Sequence, residues 1–296
     1  MGSAGETHFD VNEFVRRVLA EDMGSGGDIT SAAIIGSTAR FSAELSCRES
    51  IVVAGLDIAV AFFRGLDRDV RIQKTANDGD FVGAGSALLS LEGDARAMLG
   101  AERSALNTLQ HLSGIATLTR RYVDAIAGTG ATLLDTRKTI PGLRLLEKYA
   151  ARMGGAENHR MRLDDGVLIK DNHVAVAGGV AEAVKVARAA NLGFAVQVEV
   201  DRLDQIEPAL TAGAERLLLD NMPPPLLREA VALVAGRVPL EASGGVRLET
   251  IRAIAETGVD YISVGRITQS APAVDIGLDY SVQSTIVSSE LAVGRH

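Results

Sequence analysis

Apolar positions Val11, Phe14, Val15, Val18 and Leu19 recur at helical spacing behind Asp10, a side chain suited to cap a helix start. A short helix over residues 10–21 is predicted. After the glycine-rich turn Met23–Asp28, strand-like pieces fall near 40–54, 70–74 and 86–92, with a helix near 57–65. These elements do not alternate regularly, which predicts a small α+β domain. From Asp94 to about Ala127, the apolar series Leu99, Ala101, Leu106, Leu109, Leu112, Ile115 and Leu118 has few breakers except Gly100 and Gly114. One or two long helices should connect the halves.

From residue 131 the pattern changes to repeated strand and helix units. Apolar runs with polar or charged ends occur at Thr132–Asp135, Val167–Lys170, Val196–Glu199, Arg216–Asp220, Val238–Glu241 and Tyr261–Val264. The polar ends Glu199, Asp220, Glu241 and Ser263 are 21, 21 and 22 residues apart. One β/α unit of a parallel barrel, with its strand, helix and two loops, needs about that length. Helix-like stretches at 203–212 and 248–257 are each followed by a glycine stop, Gly213 or Gly258. Six strands are fewer than the eight of a complete barrel: either the barrel is incomplete, or weak strands escape the pattern.

Composition narrows the classes. With 296 residues and 47% hydrophobic content the chain can bury a full core, as one barrel or as a barrel plus a smaller domain. Cys47 is the only cysteine, which excludes an intramolecular disulfide. The first residues lack the apolar core of a signal peptide, and no uninterrupted run of about 18 apolar residues exists to span a bilayer. A soluble cytoplasmic protein with no membrane partner is expected.

Charge is informative because it is local. The whole chain has 30 Lys and Arg against 38 Asp and Glu, a net charge of −8. Between Arg137 and His173, however, eight Lys or Arg and two His stand against five Asp or Glu. A nucleic-acid surface would need basic charge spread along a face with aromatics for stacking, and aromatics are only 4% of residues. A compact pocket for an anionic small molecule fits better.

The run ends share one rim of a parallel barrel, where Asp135, Arg137, Lys138, Lys170, Glu199, Asp220, Glu241 and Ser243 converge. Cations there bind phosphate or carboxylate, while carboxylates accept hydrogen bonds from sugar hydroxyls or hold Mg²⁺. Ser243-Gly244-Gly245 and Ser263-Val264-Gly265 lie in the loops after the last two strands, where barrels commonly receive a phosphate. Lys170 reads as a member of an anion clamp in preference to a Schiff-base nucleophile. His159 and His173 are candidates for proton transfer or anion contact, and no Cys/His cluster has zinc spacing. Arg103, on the long helix, reads by itself as an ordinary exposed arginine.

The segments Glu102–Asn107, Asp135–Arg144, Asn158-His159-Arg160, Leu168–His173, Glu199-Val200, Asp220-Asn221 and Ser243-Gly244 together closely resemble the quinolinate phosphoribosyltransferase family. Gly27–Thr30 and Ala273–Leu278 extend the resemblance over nearly the full length. It implies an α/β fold: an N-terminal α+β domain (1–115, with 270–296 packing back on it) and an incomplete six-stranded barrel related to the TIM barrel (116–269). It also implies a type II transferase that moves phosphoribosyl from phosphoribosyl pyrophosphate to quinolinate, releasing CO₂ and pyrophosphate and giving nicotinate mononucleotide for NAD synthesis. Mg²⁺ is implied as cofactor, through Glu199 and Asp220 and phosphoribosyl pyrophosphate, with no organic cofactor.

By resemblance, Arg137, His159, Arg160 and Arg103 from a partner subunit hold the quinolinate carboxylates, within a homodimer or a hexamer. Thr136 belongs to the substrate-binding set, and Lys138 and Lys170 add charge near the carboxylates and diphosphate. Glu199 and Asp220 face the ribose and Mg²⁺, and Ser243, Gly244, Gly245, Ser263, Val264 and Gly265 receive the 5′-phosphate. Lys138, Lys170, Glu199 and Asp220 form the catalytic set, and Lys138 and His159 are candidates for protonating the ring carbon. Three other readings compete: a paralogue acting on another substrate, an aldolase using Lys170, and a phosphate-binding regulator without turnover. Three arginines argue for a dicarboxylate, because a monocarboxylate would leave buried cations unpaired.

Overall fold

The structure is a computed structural model and describes residues 9–280. The first part contains α1 (Val11–Met23), α2 (Ile29–Ile34), β1 (Arg40–Cys47), β2 (Ile51–Val52), α3 (Leu56–Leu66), β3 (Arg71–Lys74), β4 (Phe81–Val82), β5 (Ala87–Asp94) and α4 (Ala95–Ala125). The second contains β6 (Thr132–Leu134), α5 (Arg144–Met153), β7 (Val167–Ile169), α6 (Asp171–Ala177), α7 (Val180–Ala189), β8 (Val196–Val200) and α8 (Ile206–Thr211). It continues with β9 (Arg216–Asp220), α9 (Pro224–Val234), β10 (Leu240–Ser243), α10 (Leu248–Ala255), β11 (Tyr261–Ser263), α11 (Arg266–Gln269) and β12 (Ile276–Tyr280).

Contacts divide the described chain into a smaller unit, residues 9–51, 55–110 and 274–280, and a larger one, residues 52–54 and 111–273. The boundary falls inside α4, a few residues before the position expected from sequence. Residues 281–296, part of the segment expected to pack back on the first domain, lie outside the described residues. The smaller unit holds an antiparallel sheet of order β12-β1-β5-β3, so its last strand comes from the far end of the chain. Its core contains Leu45, Leu89, Leu91, Phe62, Phe63 and Met98, all buried. Asp10 caps α1 as expected, accepting from Glu13 N at 2.9 Å.

The long apolar stretch is one helix of 31 residues. Its glycines do not break it. A Cβ on Gly114 would lie 2.1 Å from the Pro272 carbonyl oxygen, so this glycine lets a backbone approach the helix side.

The larger unit is built on six parallel strands in the order β6-β11-β10-β9-β8-β7. Leu133, Val198, Leu217, Leu219, Leu240, Ala242 and Ile262 are buried along it. Parallel strands are covered on both faces, which is why they read as continuous apolar runs. The outer strands β6 and β7 do not pair with each other in the described sheet; on its open side β6 makes only the single bridge Leu134↔Glu157. The barrel is therefore incomplete, and six is its full strand number in the described residues. The helix expected at 203–212 begins as a 3-10 turn, Leu203–Gln205, before α8. Among the described residues, no helix is long and apolar enough to cross a membrane.

Candidate active site

A cavity of about 800 Å³ opens at the carboxyl ends of the six parallel strands. Thr136, Arg137, Lys138, His159, Arg160, Lys170, Glu199, Asp220, Ser243, Gly244, Gly245, Ser263, Val264 and Gly265 all line it. Each belongs to a strand end or to the loop that follows, except His159 and Arg160, which sit on the segment crossing the open side beside Glu157. Arg103 is exposed on α4 in the smaller unit and is not among the lining residues.

The floor differs from the expected rim. Asp135 and Glu241 line the cavity, but their carboxylates are buried and already have protein partners. Asp135 pairs with the buried Lys148 and accepts from Asn158 Nδ2 at 2.5 Å and His159 N at 2.8 Å. Burial raises the Asp135 pKa and lowers that of Lys148, each opposed by the other's charge. Glu241 accepts from His159 Nε2 at 3.0 Å and Gln197 Nε2 at 2.7 Å. Burial acts to raise the Glu241 carboxyl, but His159, Ser263 and Gln197 together hold it below the usual glutamate range. Neither carboxylate is left for a sugar hydroxyl or a metal.

His159 is likewise partnered. Its Nδ1 accepts from Arg160 N at 2.9 Å, and its Nε2 faces Glu241 Oε2 at 3.0 Å. Both ring nitrogens thus have protein partners in this arrangement, and the residue also lines the cavity. His173 stands outside the cavity lining; its Nδ1 accepts from Lys170 N at 2.9 Å at the start of α6.

Arg137 and Arg160 have the opposite character. No carboxylate lies within ion-pair distance of either among the described residues. Arg137 Nε is buried without a hydrogen-bond partner, and Arg160 donates to the Gly166 carbonyl at 3.2 Å. Burial and then the neighbouring Arg137 charge lower the Arg160 pKa, with Asp165 partly offsetting them. Two adjacent guanidinium groups that disfavour each other are held ready for negative charge.

Across the cavity the charges are mixed. Lys170 Nζ donates to Glu199 Oε2 at 2.5 Å, with the lysine side chain 47% and the glutamate 12% exposed. Lys170 therefore lacks the desolvated surroundings of a nucleophilic lysine. Burial, then the charge of Glu199, raises the Asp220 pKa against the Asn221 amide, which donates to Asp220 Oδ2 at 2.6 Å. Glu199 and Asp220 thus form an acidic pair open to the cavity. Among the described residues no cluster of three or more His, Cys, Asp or Glu could cage a metal by itself. Two carboxylates suit a Mg²⁺ that takes most of its oxygen ligands from a bound phosphate compound.

The loop after β10 shows why its glycines are required. Gly244 and Gly245 have φ of +91° and +61°, and a Cβ on Gly244 would lie 2.2 Å from Asn221 Oδ1. Asn221 itself is left-handed, with φ of 55°, and its N–H donates to the Ser243 carbonyl at 2.8 Å. Sequence reasoning gave no role to Asn221, Arg247, Arg266 or Gln269, which also line the cavity, or to Gln197 and Lys148 beneath it. The tolerance of asparagine for left-handed backbone was an available signal for Asn221. A buried lysine inside α5 left none.

The chain matches the sequence profile of quinolinate phosphoribosyl transferase, N-terminal domain, over residues 28–113 and that of the C-terminal domain over residues 115–279. It is 43% identical over 281 residues to the nicotinate-nucleotide pyrophosphorylase [carboxylating] of Mycobacterium leprae, covering 93% of this chain and 99% of that protein. Among solved structures, the nicotinate-nucleotide pyrophosphorylase of Francisella tularensis is similar with a TM-score of 0.87 at 42% identity, covering 92% of this chain and 96% of the other. That of Ehrlichia chaffeensis gives a TM-score of 0.89 at 41% identity, covering 92% and 99%.

Proposed function

The chain belongs to the quinolinate phosphoribosyltransferase family, and from that premise we propose that it joins quinolinate to phosphoribosyl pyrophosphate with loss of CO₂, giving nicotinate mononucleotide and pyrophosphate for NAD synthesis. One observation carries the reading: a single cavity is lined by two guanidinium groups that have no carboxylate partner among the described residues, by an open carboxylate pair and by a left-handed glycine loop. Quinolinate has two adjacent carboxylates. A monocarboxylate would leave one of those cations without its counter-charge.

The chemistry follows from charge. As the bond from the ribose C1 to pyrophosphate breaks, positive charge grows on the sugar, and Glu199 and Asp220 stabilise it from the cavity wall. Glu199 and Asp220 would hold Mg²⁺, which would supply positive charge to offset the negative charge developing on the leaving group. Lys170 bridges the two functions, holding Glu199 in place and carrying its own positive charge towards the diphosphate. The quinolinate nitrogen forms the new bond to C1. The pyridinium then accepts the electron pair of the breaking carbon–carboxylate bond, CO₂ leaves, and the ring carbon takes a proton. Lys138 and His159, which both line the cavity, are the donor candidates. Ser243, Gly244, Gly245, Ser263, Val264 and Gly265 receive the 5′-phosphate through hydroxyl and backbone N–H groups.

The proposal extends to the assembly. Arg103 is exposed on α4, and by the family likeness it is the residue donated to the site of a second copy in a homodimer or hexamer of cytoplasmic enzyme. The decisive assay measures CO₂ released from carboxyl-labelled quinolinate, with and without phosphoribosyl pyrophosphate and Mg²⁺. Release that requires all three is expected. Turnover with nicotinate and none with quinolinate would overturn the assignment.

A further inference from the structure

The open side of the barrel sets a mechanical problem. Arg137 follows β6, whereas Arg160 sits on the segment after Glu157, and the described sheet joins these two stretches only at the bridge Leu134↔Glu157. Beyond that point side chains hold the two stretches: Glu241 of β10 bonds His159, and Arg144 donates to the Thr139 hydroxyl and to the Met161 carbonyl. Asp135 adds the direct tie between them. From the end of β6 it accepts the Asn158 amide at 2.5 Å and the His159 backbone N–H at 2.8 Å, tying the two arginine-bearing stretches through one carboxylate. Lys148, from α5, supplies the counter-charge and also reaches the Thr136 carbonyl at 3.5 Å, while its own carbonyl accepts from Asn158 at 2.9 Å.

Both members of this pair are fully buried. A buried ion pair commonly adds no stability over an apolar pair of the same volume, so its presence here needs another reason. Neither group reaches substrate as a free ligand, because Asp135 is saturated with donors and Lys148 lies outside the cavity lining. What the pair controls is the geometry of the stretches on either side of it.

We propose that Asp135 and Lys148 are a positioning pair that fixes the separation of Arg137 and Arg160, and through it the selection of a substrate with two adjacent carboxylates. The proposal rests on the functional reading above and names the source of its specificity. The pair replaces, at the open side, the strand pairing that a complete barrel would provide.

The test compares two double variants, neither of which leaves a lone buried charge. Asp135→Ala with Lys148→Met removes the tie; Asp135→Asn with Lys148→Met keeps a carbonyl oxygen for the His159 N–H. The first is expected to keep its fold by circular dichroism and raise the quinolinate KM by about tenfold or more, because small misplacements of binding groups are costly. Its KM for phosphoribosyl pyrophosphate should stay within about twofold, and the second variant should recover most of the quinolinate affinity. Asn158→Ala, which removes a neutral amide with its two contacts to the Asp135 carboxylate and the Lys148 carbonyl, gives an independent reading in the same direction should the first variant not fold. An unchanged quinolinate KM in Asn158→Ala, or equal increases in both KM values in the folded Ala/Met variant, would overturn the proposal. Failure of the functional reading shows separately, as a wild-type enzyme that releases no CO₂ from quinolinate.

Discussion

Two lysine–carboxylate pairs in the same barrel have different surroundings and different consequences. On the floor, Lys148 and Asp135 are both fully buried; on the rim, Lys170 and Glu199 are 47% and 12% exposed. The floor pair has every nearby donor turned onto it and no solvent, so breaking it strands a charge. The rim pair has solvent and an open cavity beside it, so either partner can turn to a ligand. The same chemical pairing serves architecture when water is excluded and binding when it is not. Burial, not residue type, separates the two.

The sharpest break in that comparison is Lys148→Met alone. Removing one partner of a buried pair should destabilise the fold by about 3–5 kcal/mol, measured by urea unfolding. Lys170→Ala should instead change stability by less than about 1 kcal/mol while lowering turnover by about 10²–10³-fold, as expected for a group that stabilises developing charge. Equal stability losses in the two variants would erase the distinction.

Glu199→Gln sharpens the rim side. It keeps shape and removes charge, so kcat should fall by about tenfold or more with little change in quinolinate binding. An unchanged rate contradicts the assigned role. Gly244→Ala probes the glycine loop of the cavity. Its left-handed backbone and the 2.2 Å approach to Asn221 Oδ1 should cost about 1–3 kcal/mol and raise the KM for phosphoribosyl pyrophosphate before that for quinolinate.

The smallest effect lies in acid stability. Glu241, despite burial, is held below its usual value of 4.5 by His159, Ser263 and Gln197. A depressed carboxyl contributes stability above its unfolded value and loses it as pH falls through the folded one. The loss therefore begins near pH 4.5 and continues below it. Glu241→Gln should flatten that part of the stability curve in titration by fluorescence or circular dichroism; an unaltered slope would remove Glu241 from this role.

Much of this was legible before any coordinates. The spacing of 21, 21 and 22 residues between Glu199, Asp220, Glu241 and Ser263 identified the repeating unit, because a strand, helix and two loops consume a set length of chain. Arg137, Lys138, Lys170, Glu199, Asp220 and the two serine–glycine loops were placed at one opening for the same reason, Arg160 only by the family resemblance, and all line one cavity. Asp135 and Glu241 were read as rim groups from an identical signal, a carboxylate ending an apolar run. Periodicity says where a side chain stands along a strand; it does not say which donors surround it.

The sequence alone determined the six apolar runs of the barrel, the shared rim of their polar ends and the excess of cations before β7, because these depend on local spacing and composition, but it left open whether further strands completed the barrel. The tertiary structure decided which charges remain available. His159 contacts Glu241 82 positions away, Asn158 contacts Asp135 23 positions away, and Lys148 enters from α5 as a buried partner. Such contacts form only when distant segments meet in a water-poor interior, and that meeting fixes whether a charged group is already satisfied or left for substrate.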